Sequence, residues 1–325
     1  MGDRVLVTYG GYELEHPECG GALAGAGLEL DVHPRAGDRA PAELLGLLGD
    51  AVAAVADADP FDASVLGAAP RLRIVARTGV GLDAVDLEAA TAAGVLVTIT
   101  PGTNHEAVAD HALALMLAVL RRLLPEHRRV AAGGWRDFSS PLGQLHGRTV
   151  GVIGFGAIGR AVGRRVAGFG AELLVHDPWA ADVPTVGLEE LLARSDVVSL
   201  HLPLSEATAH LIDAAALARM RPGAVVVNTA RGGLVDQAAL LDALRAGRLG
   251  GAGLDVHEIE PPGRSALAEL DGVVLTPHVA GISDASNLAM SRMATASVLG
   301  ALRGEAVGEV ANPEVLERGP WRRPR

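Results

Sequence analysis

Residues 150–159 read VGVIGFGAIG. The β-branched run at 150–153 predicts a strand, and the pattern at 160–169 predicts a helix. Gly154, Gly156 and Gly159 fall at the turn between them, with GxGxxG spacing. In a chain with 41 glycines that spacing alone says little; the strand–turn–helix setting gives it weight. Gly154 permits a tight turn, Gly156 lets the backbone approach a pyrophosphate, and Gly159 lets helix pack on strand. Ala157 and Ile158 open the helix, whose first N–H groups offer partial positive charge to phosphate. A second apolar run at 173–175 leads into Asp177, 177 − 159 = 18 residues past the last glycine. Its carboxylate suits ribose hydroxyls and repels a 2′-phosphate, so NAD is expected rather than NADP.

The rest of the composition narrows the function. A chain of 325 residues with 49% hydrophobic content supports two domains with their own cores. A net charge of −11 argues against nucleic-acid or anionic-membrane partners. The apolar run at 107–124 is interrupted by Asp110 and His111 and reads as a buried helix, not a membrane span. The opening MGDRVLVTYGG enters a strand directly, and Cys19 is the only cysteine. A cytoplasmic protein without disulfides or a cysteine-rich metal site is expected, and no metal is assigned. All 28 basic residues are arginine, which excludes every mechanism that needs a lysine. A dehydrogenase built on this chain must take its acid–base group from His, Asp or Glu.

Strands are predicted at 5–8, 28–32, 52–56, 72–76 and 95–98, with helical patterns between them. A long helix is predicted at 104–122, and 125–146 reads as an irregular arm suited to a dimer contact. Strands resume at 150 and recur at 173–176, 197–200, 224–228, 251–254 and 273–276; a last helix covers 283–303. The tail at 321–325 is expected to fray. The expected fold is α/β with two doubly wound parallel-sheet domains. A Rossmann dinucleotide-binding domain at 101–281 is inserted into a smaller, flavodoxin-like substrate domain made of 1–100 and 282–325.

In such folds ligands bind outside the carboxyl ends of the strands. Three polar residues follow predicted strand ends: Arg231 after VVVNTA, Glu260 after GLDVHEI and His278 after VVLTP. Each has an ordinary alternative: a surface ion pair, a solvated acid, a turn cap. Together, behind a dinucleotide fingerprint, they suit reduction of a 2-oxo acid. Arginine can hold a carboxylate and a carbonyl by forked bonds. Histidine can pass a proton to the carbonyl oxygen, and an acid on its second nitrogen favours imidazolium.

The chain resembles the D-isomer-specific 2-hydroxyacid dehydrogenases, a family that includes phosphoglycerate, glycerate/hydroxypyruvate and D-lactate dehydrogenases. The resemblance rests on RTGVGLDAVD (77–86), TPGTNHEAVADHALALML (100–117), VGVIGFGAIGR (150–160) and SLHLPLSEATAHLI (199–212). It continues through NTARGGLVD (228–236), GLDVHEIEPP (253–262) and TPHVAG (276–281). It implies that Arg231 binds substrate, Glu260 tunes the histidine and His278 is the acid/base. It also implies that the N–H groups of Val80 and Gly81 receive the substrate carboxylate and that Asn104 supports the cofactor loop. His201, Pro203, Ala230 and Asp255 would line the nicotinamide half, Asp255 being otherwise a strand-end cap. A homodimer is expected by the same analogy.

Departures from the family pattern sharpen the reading. His257 stands where an aromatic is common and is expected to be exposed filler; Ala107 and Asp110 replace a frequent Ser and Glu. The segment VADADPF (55–61) lacks the arginine of phosphate-handling relatives, although Arg77 could substitute. Residues 9–12 and 55–59 are expected at the substrate mouth. Glu260 argues against formate, where relatives carry an amide. The expected reaction is NAD-dependent interconversion of a 2-oxo acid and its D-2-hydroxy acid. Phosphite oxidation on the same residues and a dinucleotide-sensing corepressor are the alternatives.

Overall fold

Residues of the central strands are buried on both faces, as parallel sheets covered by helices on two sides require. Val5, Leu6 and Val7 are all fully buried, yet they serve different cores. Val5 and Val7 pack with Met290, Ala294 and Val298, whereas Leu6 packs with Leu44, Leu48 and Leu66. The alternation is the two-residue period of a strand.

The computed structural model describes all residues except 1, 36, 140–141, 306–307 and 319–325. Pro141 of the expected arm and the expected tail at 321–325 therefore lie outside the described residues. The strands are β1 (Arg4–Val7), β2 (Glu29–Val32), β3 (Ala53–Ala56), β4 (Ile74–Arg77), β5 (Leu96–Ile99), β6 (Thr149–Ile153), β7 (Glu172–His176), β8 (Val197–Leu200), β9 (Val225–Asn228), β10 (Gly251–Leu254), β11 (Val273–Leu275) and β12 (Glu309–Val310). The chain divides into two units, Met1–Asn104 with Ile282–Arg325, and His105–Gly281.

The first unit has the sheet order β12-β5-β4-β3-β1-β2, parallel throughout except for β12, which pairs antiparallel with β5. The helix Asp284–Arg303 lies on one face of this sheet; its N-terminus is fixed by a capping box between Ser283 and Ser286.

The second unit has the order β11-β10-β9-β8-β6-β7, all parallel. One face is covered by the helices His105–Leu120 and Ala157–Gly168, through Ala112, Met116, Val162 and Val166. Leu191, Leu217 and Leu240 cover the other. A Rossmann sheet has a further strand beyond β7. Here a single position fills it: Val186 donates its N–H to the Val175 carbonyl at 2.8 Å and accepts from His176 Nδ1 at 2.9 Å.

One helix departs from expectation. Residues Leu123–Ala131 form a helix of their own, although the sequence reads as irregular from 125 onward. Arg122 takes a left-handed conformation (φ 50°), which ends the preceding helix and starts this one. Pro125 falls in its first turn, where a missing N–H costs no helical bond. Among the described residues no helix is long and apolar enough to cross a membrane.

Candidate active site

In the second unit β6 lies between β7 and β8, so the chain winds outward in both directions from it. The loops after β6 and β8 meet at this switch point. Gly154 has φ +88°, and a Cβ there would lie 2.5 Å from the His201 carbonyl oxygen. No other residue fits. Gly159 is as constrained, since its Cβ would fall 2.1 Å from the Gly154 carbonyl oxygen. Gly156 differs: it caps the helix Ala157–Gly168, is exposed, and has nothing within 4 Å of where a Cβ would be. The first turn, Ala157 exposed and Ile158 half-buried, leaves its N–H groups open to an anion.

Asp177, just past β7, is tied to this loop. Its Oδ2 accepts from the Phe155 N–H at 2.7 Å and its Oδ1 from the Trp179 N–H at 2.8 Å. The open helix start, the missing side chain at Gly156 and the neighbouring carboxylate fit a dinucleotide. His201 begins the loop that Pro203 continues in the open. Its ring bonds Ser199 Oγ through Nε2 at 2.8 Å, and burial pushes its pKa down to about 3, so it stays neutral.

Arg231, Glu260 and His278 follow β9, β10 and β11, which are adjacent in the sheet. Asn228, at the end of β9 and almost fully buried, shapes the first of these loops. Its Oδ1 accepts from the Ala230 N–H at 3.0 Å and its Nδ2 donates to the Arg231 carbonyl at 2.8 Å. Arg231 Nη1 in turn donates to the Ala230 carbonyl at 2.7 Å. Gly232 is forced, because a Cβ would sit 1.9 Å from the His257 carbonyl oxygen.

His278 Nδ1 lies 2.7 Å from Glu260 Oε2, and the other oxygen, Oε1, accepts from the His257 N–H at 2.9 Å. The Glu260 hydrogen bond and charge raise the His278 pKa above its ordinary value, against partial burial and the nearby Arg231 charge. Partial burial works against the Glu260 carboxylate, but the bond to His278 and the His257 N–H hold its pKa below the ordinary value. The contact thus favours the imidazolium–carboxylate form of the pair, and it engages Nδ1 of the ring, leaving Nε2 outside it. Half of the His278 side chain is open to solvent.

Asp255, just past β10, is fully buried. It accepts from Thr276 Oγ1 and the N–H groups of Val279 and Ala280, which is the geometry of a strand-end cap. His257 corrects its expectation as exposed filler. It is buried, and its Nε2 donates to the Thr276 carbonyl at 3.1 Å.

In the first unit the Val80–Gly81 loop follows β4. Gly79, at φ +127°, donates to Thr100 Oγ1 at 2.7 Å and accepts from the Thr100 N–H at 2.9 Å, which fixes the loop base. Val80 is exposed. Asn104, half-buried, is the last residue before the chain enters the second unit. The expected mouth is only partly open. Tyr9 and Tyr12 are buried, their hydroxyls bonded to Asn287 and Thr295 at 2.6 Å, and burial pushes both phenols up to about 12. Asp59 is fully buried against Thr8 and Arg39, while Asp57 is half-buried 3.8 Å from Arg77.

Sequence reading missed Asn228, Thr276 and His111. Asn228 alone left a local sign, since an Asn at a strand end before a turn commonly bonds the backbone two residues on.

Residues 113–280 match the family model for the D-isomer specific 2-hydroxyacid dehydrogenase NAD binding domain. The chain is 46% identical over 282 residues to a D-3-phosphoglycerate dehydrogenase of Mycobacterium leprae, covering 82% of this chain and 53% of that protein. It thus spans about half the length of the phosphoglycerate dehydrogenases it matches. It is 44% identical over 274 residues to a glyoxylate reductase of Korarchaeum cryptofilum, covering 81% of this chain and 82% of that one. The crystal structure of the TT0316 protein from Thermus thermophilus superimposes with a TM-score of 0.87 at 39% identity, over 95% of this chain and 99% of that one. With its glycine loop, its strand-end cluster and these likenesses, the chain belongs to the D-isomer specific 2-hydroxyacid dehydrogenase family and carries its NAD binding domain.

Proposed function

We propose that this protein interconverts a 2-oxo acid and its D-2-hydroxy acid, with His278 as the acid/base. The observation that carries this reading is the 2.7 Å contact between His278 Nδ1 and Glu260 Oε2, one strand away from Arg231. Bound NAD supplies or accepts the hydride. Arg231 holds the substrate carboxylate and carbonyl oxygen, and the N–H groups of Val80 and Gly81 receive the carboxylate. In reduction, His278 Nε2 gives its proton to the carbonyl oxygen; in oxidation it takes the hydroxyl proton back. Glu260 holds the ring by Nδ1 and keeps it charged until that transfer. Gly154, Gly156, Ala157, Ile158 and Gly159 cradle the pyrophosphate, and Asp177 takes the ribose hydroxyls. Asn104, His201, Pro203, Ala230 and Asp255 support the nicotinamide end.

The substrate is a small acid without a phosphate, such as glyoxylate or hydroxypyruvate. The loop after β3 carries Asp57 and Asp59 and no arginine. Arg77 already donates to the Thr78 carbonyl and faces Asp57, and Arg39 is committed to buried Asp59. The working molecule is a homodimer, joined through the exposed side chains of Leu123, Leu124, Val130, Trp135 and Phe138.

NADH oxidation with glyoxylate, hydroxypyruvate, pyruvate and 3-phosphohydroxypyruvate tests the reaction. The first two are expected to be turned over fastest. His278→Asn is expected to cut turnover roughly 10²–10⁴-fold with NADH affinity retained. A variant that turns over every accepted acid at the normal rate removes the role from His278; a wild-type protein inert toward all four acids removes the reaction.

A further inference from the structure

The segment that carries His278 is held by groups other than Glu260. His278 has φ 55°, in the left-handed region that a β-carbon disfavours. Such a conformation persists only where neighbours over-determine it. Here the Thr276 N–H donates to the Leu254 carbonyl at 2.9 Å and the His278 N–H to the Asp255 carbonyl at 2.8 Å. The N–H groups of Val279 and Ala280 then donate to Asp255 Oδ1 and Oδ2 at 2.9 and 2.8 Å. One buried carboxylate thus grips the turn on the far side of the histidine.

That carboxylate is itself fixed from behind. Thr276 Oγ1 donates to Asp255 Oδ1 at 2.6 Å. With its only proton spent there, the hydroxyl can act toward His111 Nε2, 2.9 Å away, only as an acceptor. His111 Nε2 therefore carries a hydrogen, and it also lies 3.5 Å from Asp255 Oδ1. The ring comes from the helix His105–Leu120, which packs under the sheet. The chain of contacts runs from this helix through His111, Thr276 and Asp255 to the backbone of residues 278–280.

We propose that His111 and Thr276 are positioning residues for the acid/base histidine. They set the rotation of the Asp255 carboxylate, and Asp255 sets the left-handed turn that aims His278 at Glu260. The proposal rests on the reading of His278 as acid/base, but its test has an arm that needs no turnover.

The variants are Thr276→Val and Thr276→Ser, His111→Leu and His111→Gln. Valine and leucine remove the hydrogen-bonding group; serine and glutamine keep it. Two quantities are measured: kcat and KM for reduction, and the titration of the His278 ring by NMR, its resonance identified by its loss in His278→Asn. T276V and H111L are expected to lower kcat roughly ten- to hundredfold with KM little changed. The His278 pKa should fall back toward its ordinary value in both. T276S and H111Q are expected to restore most of each loss. Folded T276V and H111L with wild-type kcat and titration overturn the proposal, as does a T276S as impaired as T276V. If T276V does not fold, H111L decides, because the His111 side chain is partly exposed. If the wild type reduces no 2-oxo acid, the functional reading fails and the ring titration alone judges the positioning.

Discussion

His278 and Glu260 shift one another in opposite directions, His278 upward from 6.5 and Glu260 downward from 4.5. Both are charged in folded and unfolded chains between those two ordinary values, so the stabilisation from the pair is complete there. It fades as pH falls through the lowered Glu260 pKa and as pH rises through the raised His278 pKa. The proposed reduction uses the imidazolium, so its rate should be flat up to the raised His278 pKa and decline above it. Glu260→Gln removes the hydrogen-bonded charge, and the alkaline limb of the kcat profile should move to lower pH. An unmoved limb would separate Glu260 from the histidine's charge. These two residues and Arg231 were legible in the sequence because each follows a strand signal. Thr276 and His111 were not: they meet across 165 positions, and no local pattern marks a hydrogen bond of that range.

The elements themselves were legible where side-chain period and burial agreed. The runs at 150–153 and 197–200 became β6 and β8 because β-branched side chains suit a sheet covered on both faces. The helix Leu123–Ala131 was hidden because it buries none of its side chains, and a proline stands in its first turn. The third strand of a Rossmann sheet shrank to Val186, which a sequence pattern cannot report. Loop shape was harder still to read than strands. Asn228 ties the end of β9 to the loop of Arg231 with both ends of its amide. Asn228→Ala leaves a backbone donor and acceptor without that partner in a partly buried setting. It is expected to cost about 2–4 kcal/mol of stability, read as a lower urea midpoint with an unchanged slope. It should also raise KM for the oxo acid as Arg231 loosens. A midpoint equal to wild type would mean that the turn holds without the amide.

At the level of the whole molecule, the segment 123–138 exposes several large apolar side chains, the kind of surface that marks an interaction site when contiguous. Trp135 and Phe138 are 70% and 86% exposed, with Leu123, Leu124 and Val130 open nearby. Light scattering is expected to give the mass of two chains. Trp135→Glu combined with Phe138→Glu should give the mass of one, with the fold intact by circular dichroism. A wild type that stays monomeric at micromolar concentration would leave this surface to another partner. Finally, the left-handed backbone at His278 decides which silenced form of the molecule can be made cleanly. Among non-glycine residues asparagine is one of those most at ease there, whereas a β-branched side chain would force the turn open. Asparagine at 278 therefore removes the proposed proton carrier and spares the scaffold. That yields a stalled enzyme able to hold both reactants at once, which is the form a crystallographer needs to photograph the substrate in place.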